Sequence, residues 1–299
     1  MTRRGVALFA LMGILWGVPY MMIKVAIEGV SVPVLVFART ALAALVLLPL
    51  AMRGGQLAAL RPYWKPIALF AILEMIIPWF LIVRAEHDIT SSMTGLLIAA
   101  SPIFTVAVAR MLGRGERLGI ARSAGLGIGL AGVAVLAGPE LSGGSPRAIV
   151  EVLIVAVCYA TGPHVAARRL QDVPALPMTA ACLGFAALVY AAPAAATWPA
   201  QLPDVRVLAA IGGLALICTA LAFIVFFALI REVGPSRALV FTYINPAVAV
   251  AAGVTLLGEP LTATMIAAFV LILAGSVLAT RTAKAVEGAP AAQPVAATP

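Results

Sequence analysis

Charged residues are scarce in this sequence of 299 residues. They make up 11% of the chain, whereas hydrophobic residues make up 63% and the mean hydropathy is +1.09. Because charged residues account for about a quarter of a typical soluble domain, this composition excludes an ordinary soluble fold. It predicts a chain that crosses a membrane several times and has the lipid bilayer as its main surroundings.

Cysteine and histidine are also few, with three and two residues respectively. Cys158, Cys182 and Cys218 all fall within apolar runs and show no CxxC spacing, so we predict neither a disulfide nor a metal site. The sequence contains no Walker loop, no GxGxxG after a strand, no HExxH and no GxSxG. We therefore predict no catalytic residues and no cofactor, and the sparse polar residues argue against an integral membrane enzyme.

The sequence does contain long hydrophobic runs of about 20 residues, the length that an α-helix needs to span a bilayer. The runs are continuous, whereas a membrane β-barrel shows short segments of alternating hydrophobicity. The first run is longer than the apolar part of a signal peptide, so we expect an uncleaved first helix. Ten helices are predicted, at residues 6–24, 32–52, 66–84, 90–111, 120–137, 148–168, 176–196, 206–230, 236–257 and 263–281.

The net charge of +8 follows from membrane topology, and we predict no nucleic-acid partner. Fifteen Lys and Arg residues lie on the side of the predicted helices that holds the N-terminus, and four lie on the other side. Cytoplasmic loops of membrane proteins carry an excess of positive residues. Together with the even number of helices, this distribution predicts that both termini lie in the cytoplasm.

Two stretches of the chain, Ile89–Leu118 and Gly234–Leu261, follow the same pattern. Each is an apolar run that is interrupted by one proline and closed by the residues Gly-Glu-x-Leu. The two prolines are Pro102 and Pro246, which are 144 residues apart. A duplicated membrane segment is typical of transporters with internal repeats, in which helix breaks shape the central pathway. The alternative is a simple kink whose free carbonyl binds a neighbouring Ser or Thr.

The repeat divides the chain into two halves of five helices, at residues 5–137 and 148–281, followed by a tail at 282–299. We expect the tail, which is rich in alanine and proline, to be disordered. An odd number of helices forces the second half into the membrane upside down relative to the first. The predicted fold class is therefore all-α integral membrane, with ten transmembrane helices as two inverted five-helix repeats around a shared cavity.

Two charged residues lie deep within predicted helices, Arg39 in the second and Glu74 in the third. A charge at such depth is costly and by default marks a functional site. Arg39 lies ~10 Å and Glu74 ~15 Å from the same face of the membrane, near enough for an ion pair. Either the pair holds the first half together, or Glu74 exchanges a proton while Arg39 meets an anionic group of a substrate.

Aromatic and polar residues at similar depth are further candidates for the wall of a central cavity, since belts of Trp and Tyr normally lie at the interfaces. For Trp79 we favour packing, and for His164 a position at the rim without a proton-relay role. Glu116 and Glu259 each follow a glycine at a helix end, so we expect them to cap the next helix. The predicted pathway residues are Trp16, Tyr20, Arg39, Glu74, Ser101, Tyr159, Tyr243 and Asn245.

Six short features of the sequence occur together: Trp16–Gly17, Arg39, Ser101–Pro102, Gly115–Glu116, Asn245–Pro246 and Gly258–Glu259. In these features, and over about residues 5–281, the chain resembles the EamA-type ten-helix exporters of the drug/metabolite transporter superfamily. The resemblance implies a bacterial inner-membrane protein that moves small metabolites, often amino acids, or drugs, usually outward. It also implies a cavity wall that includes Trp16, Glu74 and Asn245.

The second half departs from the first at both deep charges. Leu183 aligns with Arg39, and Ile217 or Cys218 aligns with Glu74, so the charged pair has no counterpart in the second half. We predict a secondary transporter that works by alternating access and exports a small metabolite, amino acid or drug-like solute, with Glu74 as the site of proton coupling. An uncoupled facilitator and a lipid flippase or scramblase are the alternatives, and a monomer and a homodimer both fit the sequence.

Overall fold

A computed structural model describes residues 2–53, 57–111 and 119–280 of the chain. The described residues form helices and contain no β-strand, so the predicted all-α fold is confirmed. Within these ranges, ten helices are long and apolar enough to cross a membrane. They are α1 (Arg3–Ala26), α2 (Val32–Arg53), α3 (Leu57–Ala85), α4 (Ser91–Met111), α5 (Ile120–Gly143), α6 (Pro146–Arg169), α7 (Ala175–Ala196), α8 (Val205–Val233), α9 (Leu239–Leu257) and α10 (Ala263–Thr280).

Short polar side chains cap the N-termini of several of these helices, and a glycine follows the last residue of α9. The hydroxyl oxygen of Thr2 accepts a hydrogen bond from the backbone N–H of Gly5 at 2.9 Å, and that of Thr90 accepts one from Met93 at 3.2 Å. Both are N-caps, which satisfy backbone donors that the first helical turn leaves free. α9 ends at Gly258, whose φ of 68° lies in the left-handed region that favours glycine.

Successive helices run in opposite directions, so their connections alternate between two faces. Thr2 donates a hydrogen bond to Glu232 near the end of α8 at 2.6 Å, and we call this side the N-terminal face. On the other side, which we call the opposite face, Ser31 after α1 hydrogen-bonds with Thr197 after α7 at 2.7 Å. Residues 2 and 280 therefore both lie at the N-terminal face.

Helices at equivalent positions of the two halves pack against each other: α2 against α7, α4 against α9, and α5 against α10. Other contacts also occur twice, once in each equivalent position. α3 packs against α6, and their equivalents in the other half, α8 and α1, pack against each other. The α5–α10 contact is the closest, because Gly129 lies directly against Gly275. A pseudo-twofold arrangement of two five-helix units explains this pairing, and the small residues serve packing within one chain.

Regular α-helical geometry is interrupted at matching depths in both halves. α4 breaks immediately before Pro102, and α9 breaks immediately before Pro246. α3 contains a π-helical turn at Ile72–Ile76, and α8 contains one at Gly213–Leu221. π-helical turns widen the helix locally and are frequent at functional sites. All four irregular segments lie within the transmembrane spans.

Candidate functional site

The carbonyl groups that the break in α4 leaves free have partners within the protein. Pro102 has no N–H to donate, and the hydroxyl of Ser101 instead donates to the carbonyl oxygen of Ile98 at 2.6 Å. The hydroxyl of Ser276 in α10 donates to the carbonyl oxygen of Ala99 at 3.2 Å. Ser101, which the sequence places on the pathway, therefore uses its hydroxyl to stabilise the break.

Arg39 is almost fully buried and contacts both α3 and α8. Its guanidinium carbon lies 3.8 Å from the centre of the Trp79 ring, the geometry of a strong cation–π contact. Its Nε donates a hydrogen bond to the hydroxyl of Thr219 at 2.9 Å, and Thr219 in turn donates to the carbonyl of Leu214 within the π-helical turn of α8. Trp79, for which the sequence favours packing, thus positions the buried positive charge.

Glu74 projects from the π-helical turn of α3 towards α6. It lies over Gly162, where a Cβ atom would come within 2.8 Å of the Glu74 carboxyl carbon. The Glu74 Oε1 atom is buried and has no hydrogen-bond partner among the described residues. Among the residues that the structure describes, Glu74 and Arg39 do not form an ion pair within 4.0 Å. The first alternative from the sequence, in which the two side chains neutralise each other, is therefore not what the structure shows.

Two tyrosines complete this group. The hydroxyl of Tyr159 in α6 is close enough to the charged groups of Glu74 and Arg39 to interact with both electrostatically, and it lies beside Trp79. Tyr20 of α1 is also within electrostatic range of Arg39. We call the six residues that α1, α2, α3, α6 and α8 bring together the central site: Tyr20, Arg39, Glu74, Trp79, Tyr159 and Thr219.

The central site is asymmetric although its two π-helical turns occupy equivalent positions. Cys218 of α8 stands 144 residues after Glu74 of α3, so the second half presents a thiol where the first presents a carboxylate. The Cys218 sulfur faces the sulfur of Met22 at 3.8 Å. The next residue, Thr219, hydrogen-bonds with Arg39 of the other half. One half therefore supplies both charges and the other half supplies a hydroxyl that orients one of them.

Trp16 lies outside the central site in an aromatic cluster of α1, α8 and α9. Its ring centre is 5.5 Å from that of Phe223, 5.1 Å from that of Phe226 and 5.4 Å from that of Phe241. Aromatic pairs at these separations stabilise packing. The structure shows that Trp16 joins three helices, and its side chain is half-buried, so its predicted place in the cavity wall stays a prediction.

Two other predicted residues, both in α9, also lie apart from the central site. The hydroxyl of Tyr243 hydrogen-bonds with Thr280 of α10 at 2.8 Å, so it points towards the neighbouring helix. Asn245 follows the break, and its side-chain oxygen is buried without a hydrogen-bond partner in the described part of the chain. Near the N-terminal face, the Nδ1 atom of His164 hydrogen-bonds with the Ala160 carbonyl of its own helix at 2.8 Å.

Glu259 caps a helix of the other half. Its carboxylate accepts hydrogen bonds from the backbone N–H groups of Ser91 at 2.7 Å and Ser92 at 2.9 Å, and from both serine hydroxyls. A carboxylate at a helix N-terminus is stabilised by the helix dipole and by charge-assisted hydrogen bonds. The prediction of a cap on the next helix is wrong, because the capped helix is α4. Glu116 lies outside the described residues.

Helices α4 and α9 are in close contact between the central site and the opposite face. A Cβ atom on Gly95 would lie 2.5 Å from the Cβ atom of Ala249, and Gly253 lies directly against the hydroxyl of Ser92. We call this region the α4–α9 contact. The half of α4 at the N-terminal face packs instead against α6 and α10. The α4–α9 contact therefore lies on the side of the opposite face.

Ten apolar helices that surround a buried group of charged and aromatic residues define a multi-pass membrane protein of the transporter class. The model of the EamA-like transporter family matches residues 3–138 and 146–281, and the chain belongs to this family.

The relatives include the uncharacterized inner membrane transporter YedA of Escherichia coli strain K12, which is 33% identical over 262 residues. The match covers 85% of this chain and 83% of YedA, and YedA of strain O157:H7 matches equally well. One protein of known crystal structure has the same fold, with a TM-score of 0.63 and 22% sequence identity. The superposition covers 92% of this chain and 96% of that chain.

Proposed function

We propose that this membrane transporter is a secondary transporter that exports a small zwitterionic or amphipathic solute by alternating access, with amino acids as the first class to test. The observation that supports this proposal is the state of the two deep charges. Arg39 and Glu74 both belong to the central site, and these two described residues do not form an ion pair with each other within 4.0 Å. A solute with one anionic and one cationic group would satisfy both charges at once.

The residues of the central site suggest how such a solute would bind. The guanidinium of Arg39 uses Nε for Thr219, and its remaining N–H groups form the planar fork that matches a carboxylate. Glu74 offers an acceptor oxygen for an ammonium group or a proton. Tyr20 and Tyr159 provide aromatic surface for the apolar part of the solute. Each contact comes from a different helix, so a change in helix packing would alter binding.

Glu74 is also the proposed site of proton coupling. A buried carboxylate that has no partner is unfavourable, so Glu74 should carry either a proton or a positively charged solute group. Competition between the two for one carboxylate would couple uptake of a proton to release of the solute. A facilitator without a coupling ion is the alternative within this class, and it would bind solute through Arg39 alone.

The location and direction of transport form part of the proposal. From the sequence, fifteen of the positive residues are predicted on the side that holds the N-terminus and four on the other side, which supports a cytoplasmic N-terminal face. The name of the E. coli relative supports the inner membrane. With this orientation the α4–α9 contact lies on the outer side, where it would separate the central site from the outside while an exporter takes up solute from the cytoplasm.

Transport by purified protein in liposomes tests the proposal. We expect uptake or exchange of one or more labelled amino acids, and a dependence on the imposed pH gradient. The solutes are chosen by a thermal-shift screen, because a ligand that binds only the folded protein raises its melting temperature. Scrambling of labelled phospholipid in the same liposomes without solute transport would contradict the proposal and favour the lipid-handling alternative.

A further inference from the structure

A second buried carboxyl group lies beyond the central site, next to the opposite face. Glu86 directly follows α3, and its side chain is fully buried. Neither of its carboxylate oxygens has a hydrogen-bond partner among the residues that the structure describes. Because a desolvated carboxylate without partners is strongly disfavoured in its charged form, this geometry favours a neutral, protonated Glu86.

The nearest positive charge is directed at the backbone instead of at this carboxyl group. The ammonium group of Lys24 in α1 donates hydrogen bonds to the carbonyl oxygen of Glu86 and to that of Ile89, the latter at 2.9 Å. The Glu86 carbonyl lies at the C-terminal end of α3, where the helix dipole attracts a cation, and the Ile89 carbonyl lies in the turn before α4. On the other side of the same turn, Glu259 binds the start of α4. Lys24 and Glu259 therefore hold the α3–α4 turn in place while Glu86 remains buried within it.

The other charged and titratable groups near Glu86 have separate roles. Arg84 pairs with Glu151 of α6, and Asp88 pairs with Arg147 at 3.0 Å. His87 is exposed. The groups that face Glu86 from the packed elements are Lys24, Glu259 and Tyr20. Burial raises the pKa of the Glu86 carboxyl well above its ordinary value, Lys24 lowers this pKa, and Glu259 raises it further.

We propose that Glu86 is a proton-binding site that controls the α4–α9 contact and with it the closure of the opposite face. With a proton bound, the neutral carboxyl group remains buried and Glu259 keeps its bonds to α4. Without the proton, the carboxylate requires water, and hydration of the α3–α4 turn separates α4 from α9. The inference rests on the proposed alternating access, and the proton that it places on Glu86 is separate from the coupling proton proposed for Glu74.

The sign of the pH dependence follows from the two conformations. In the closed state burial raises the pKa of Glu86, whereas in an open, hydrated state the pKa returns to its ordinary value of 4.5. The closed state binds more protons, so protonation favours closure. The stabilisation of the closed state by the proton on Glu86 is fully present below the ordinary pKa. It is lost as the pH rises through the raised pKa of Glu86 in the closed state. The opposite face should therefore open at higher pH.

A distance between spin labels tests this inference in the full-length protein in lipid bilayers. The labels are placed at His87→Cys and Leu261→Cys, two exposed positions in the turns that precede α4 and α10. The three buried native cysteines, Cys158, Cys182 and Cys218, are first replaced by alanine. Replacement of His87 also removes an imidazole that would otherwise titrate near neutral pH. The measurement requires no transported solute.

We expect the label distance of the parent protein to lengthen as the pH rises from about 5 to about 9, across the range in which a buried carboxyl titrates. Glu86→Gln and Glu86→Met both remove the titration, so both variants should keep the short distance at every pH. Glu28→Gln is the matched control, because Glu28 is an exposed carboxylate in the turn after α1. This control should behave as the parent does.

Two results would overturn the inference. One is a label distance in the parent protein that does not change with pH. This result is decisive even if the Glu86 variants fail to fold. The other is the parent's pH dependence in Glu86→Gln or Glu86→Met, which would assign the titration to another group such as Glu74. A pH-dependent distance without transport of any solute would contradict the proposed function but would support the role of Glu86. The two proposals can thus fail separately.

Discussion

The guanidinium of Arg39 lies 3.8 Å from the ring centre of Trp79, and this contact, together with the bond to Thr219, positions the buried charge. Glu74 is left without a hydrogen-bond partner at Oε1. A charge that stacks on an aromatic ring keeps its outer N–H groups available for a solute, whereas an ion pair with Glu74 would use them. The arrangement therefore leaves both charged groups free of an ion pair with each other, as the proposed function requires.

Arg39→Lys should reduce solute transport by about tenfold or more, because an ammonium group cannot both stack on Trp79 and offer a planar fork to a carboxylate. The loss of one charged hydrogen bond corresponds to about 1.5–3 kcal/mol. Initial rates in liposomes at several solute concentrations measure the effect. Arg206→Lys, an exposed position at the start of α8, is the control. Equal rates for Arg39→Lys and the wild type would show that Arg39 does not bind solute.

Glu74→Gln should abolish accumulation of solute against its gradient but retain exchange of labelled for unlabelled solute. The amide keeps the shape of the side chain and loses the exchangeable proton. Both activities are measured in liposomes with and without a pH gradient. Uphill transport that remains driven by the pH gradient in this variant would exclude Glu74 from proton coupling and leave Glu86 as the candidate.

Gly162→Ala should impair solute binding, since the new Cβ atom would lie 2.8 Å from the Glu74 carboxyl carbon and force this side chain away from α6. Gly184→Ala is the matched control, because the nearest atom to its Cβ would be a Leu48 methyl group at 3.8 Å. Thermal shift with the transported solute reports binding. If both variants show the same ligand-induced shift, the placement of Glu74 over Gly162 is unimportant for the site.

Gly275→Ala should destabilise the fold by about 1–3 kcal/mol, the usual cost of overpacking a tight contact. Its Cβ atom would meet backbone atoms of α5, including the Gly125 carbonyl oxygen at 2.7 Å, and backbone cannot move aside as a flexible side chain can. Gly127→Ala in α5 has open space and should leave stability unchanged. Melting temperatures of the purified proteins in one detergent provide the comparison, and similar values for both variants would contradict a close α5–α10 contact.

Glu259→Gln should increase the exposure of the central site to the opposite face. The substitution removes the negative charge from four hydrogen bonds to Ser91 and Ser92 and leaves an amide that accepts at one atom only. The readout is the rate at which a membrane-impermeant thiol reagent, added at the opposite face, modifies a Tyr20→Cys reporter. Glu28→Gln serves as the control. An unchanged rate would show that this cap does not hold the α4–α9 contact.

The number and approximate extent of the helices could be predicted from the sequence because hydrophobicity along the chain is a local property. A run of about 20 apolar residues has few alternatives to a membrane helix, since the backbone must satisfy its own hydrogen bonds in lipid. The pattern of Pro102 and Pro246 likewise located two helix breaks, because proline removes a backbone donor wherever it stands. The depth of Arg39 and Glu74 followed from counting residues along their helices.

The partners of those residues depend on which helices become neighbours, and only the tertiary structure decides that. Similar depth made an ion pair between Arg39 and Glu74 plausible, but the rotation of α2 and α3 directs Arg39 to Trp79 and Thr219. Glu86 follows an apolar run in a charged turn, where a carboxylate is usually solvated, and its burial arises from packing of distant segments. Glu259 could be placed at a helix end from the sequence alone. That it caps α4 of the other half results from the contact of α4 with α9.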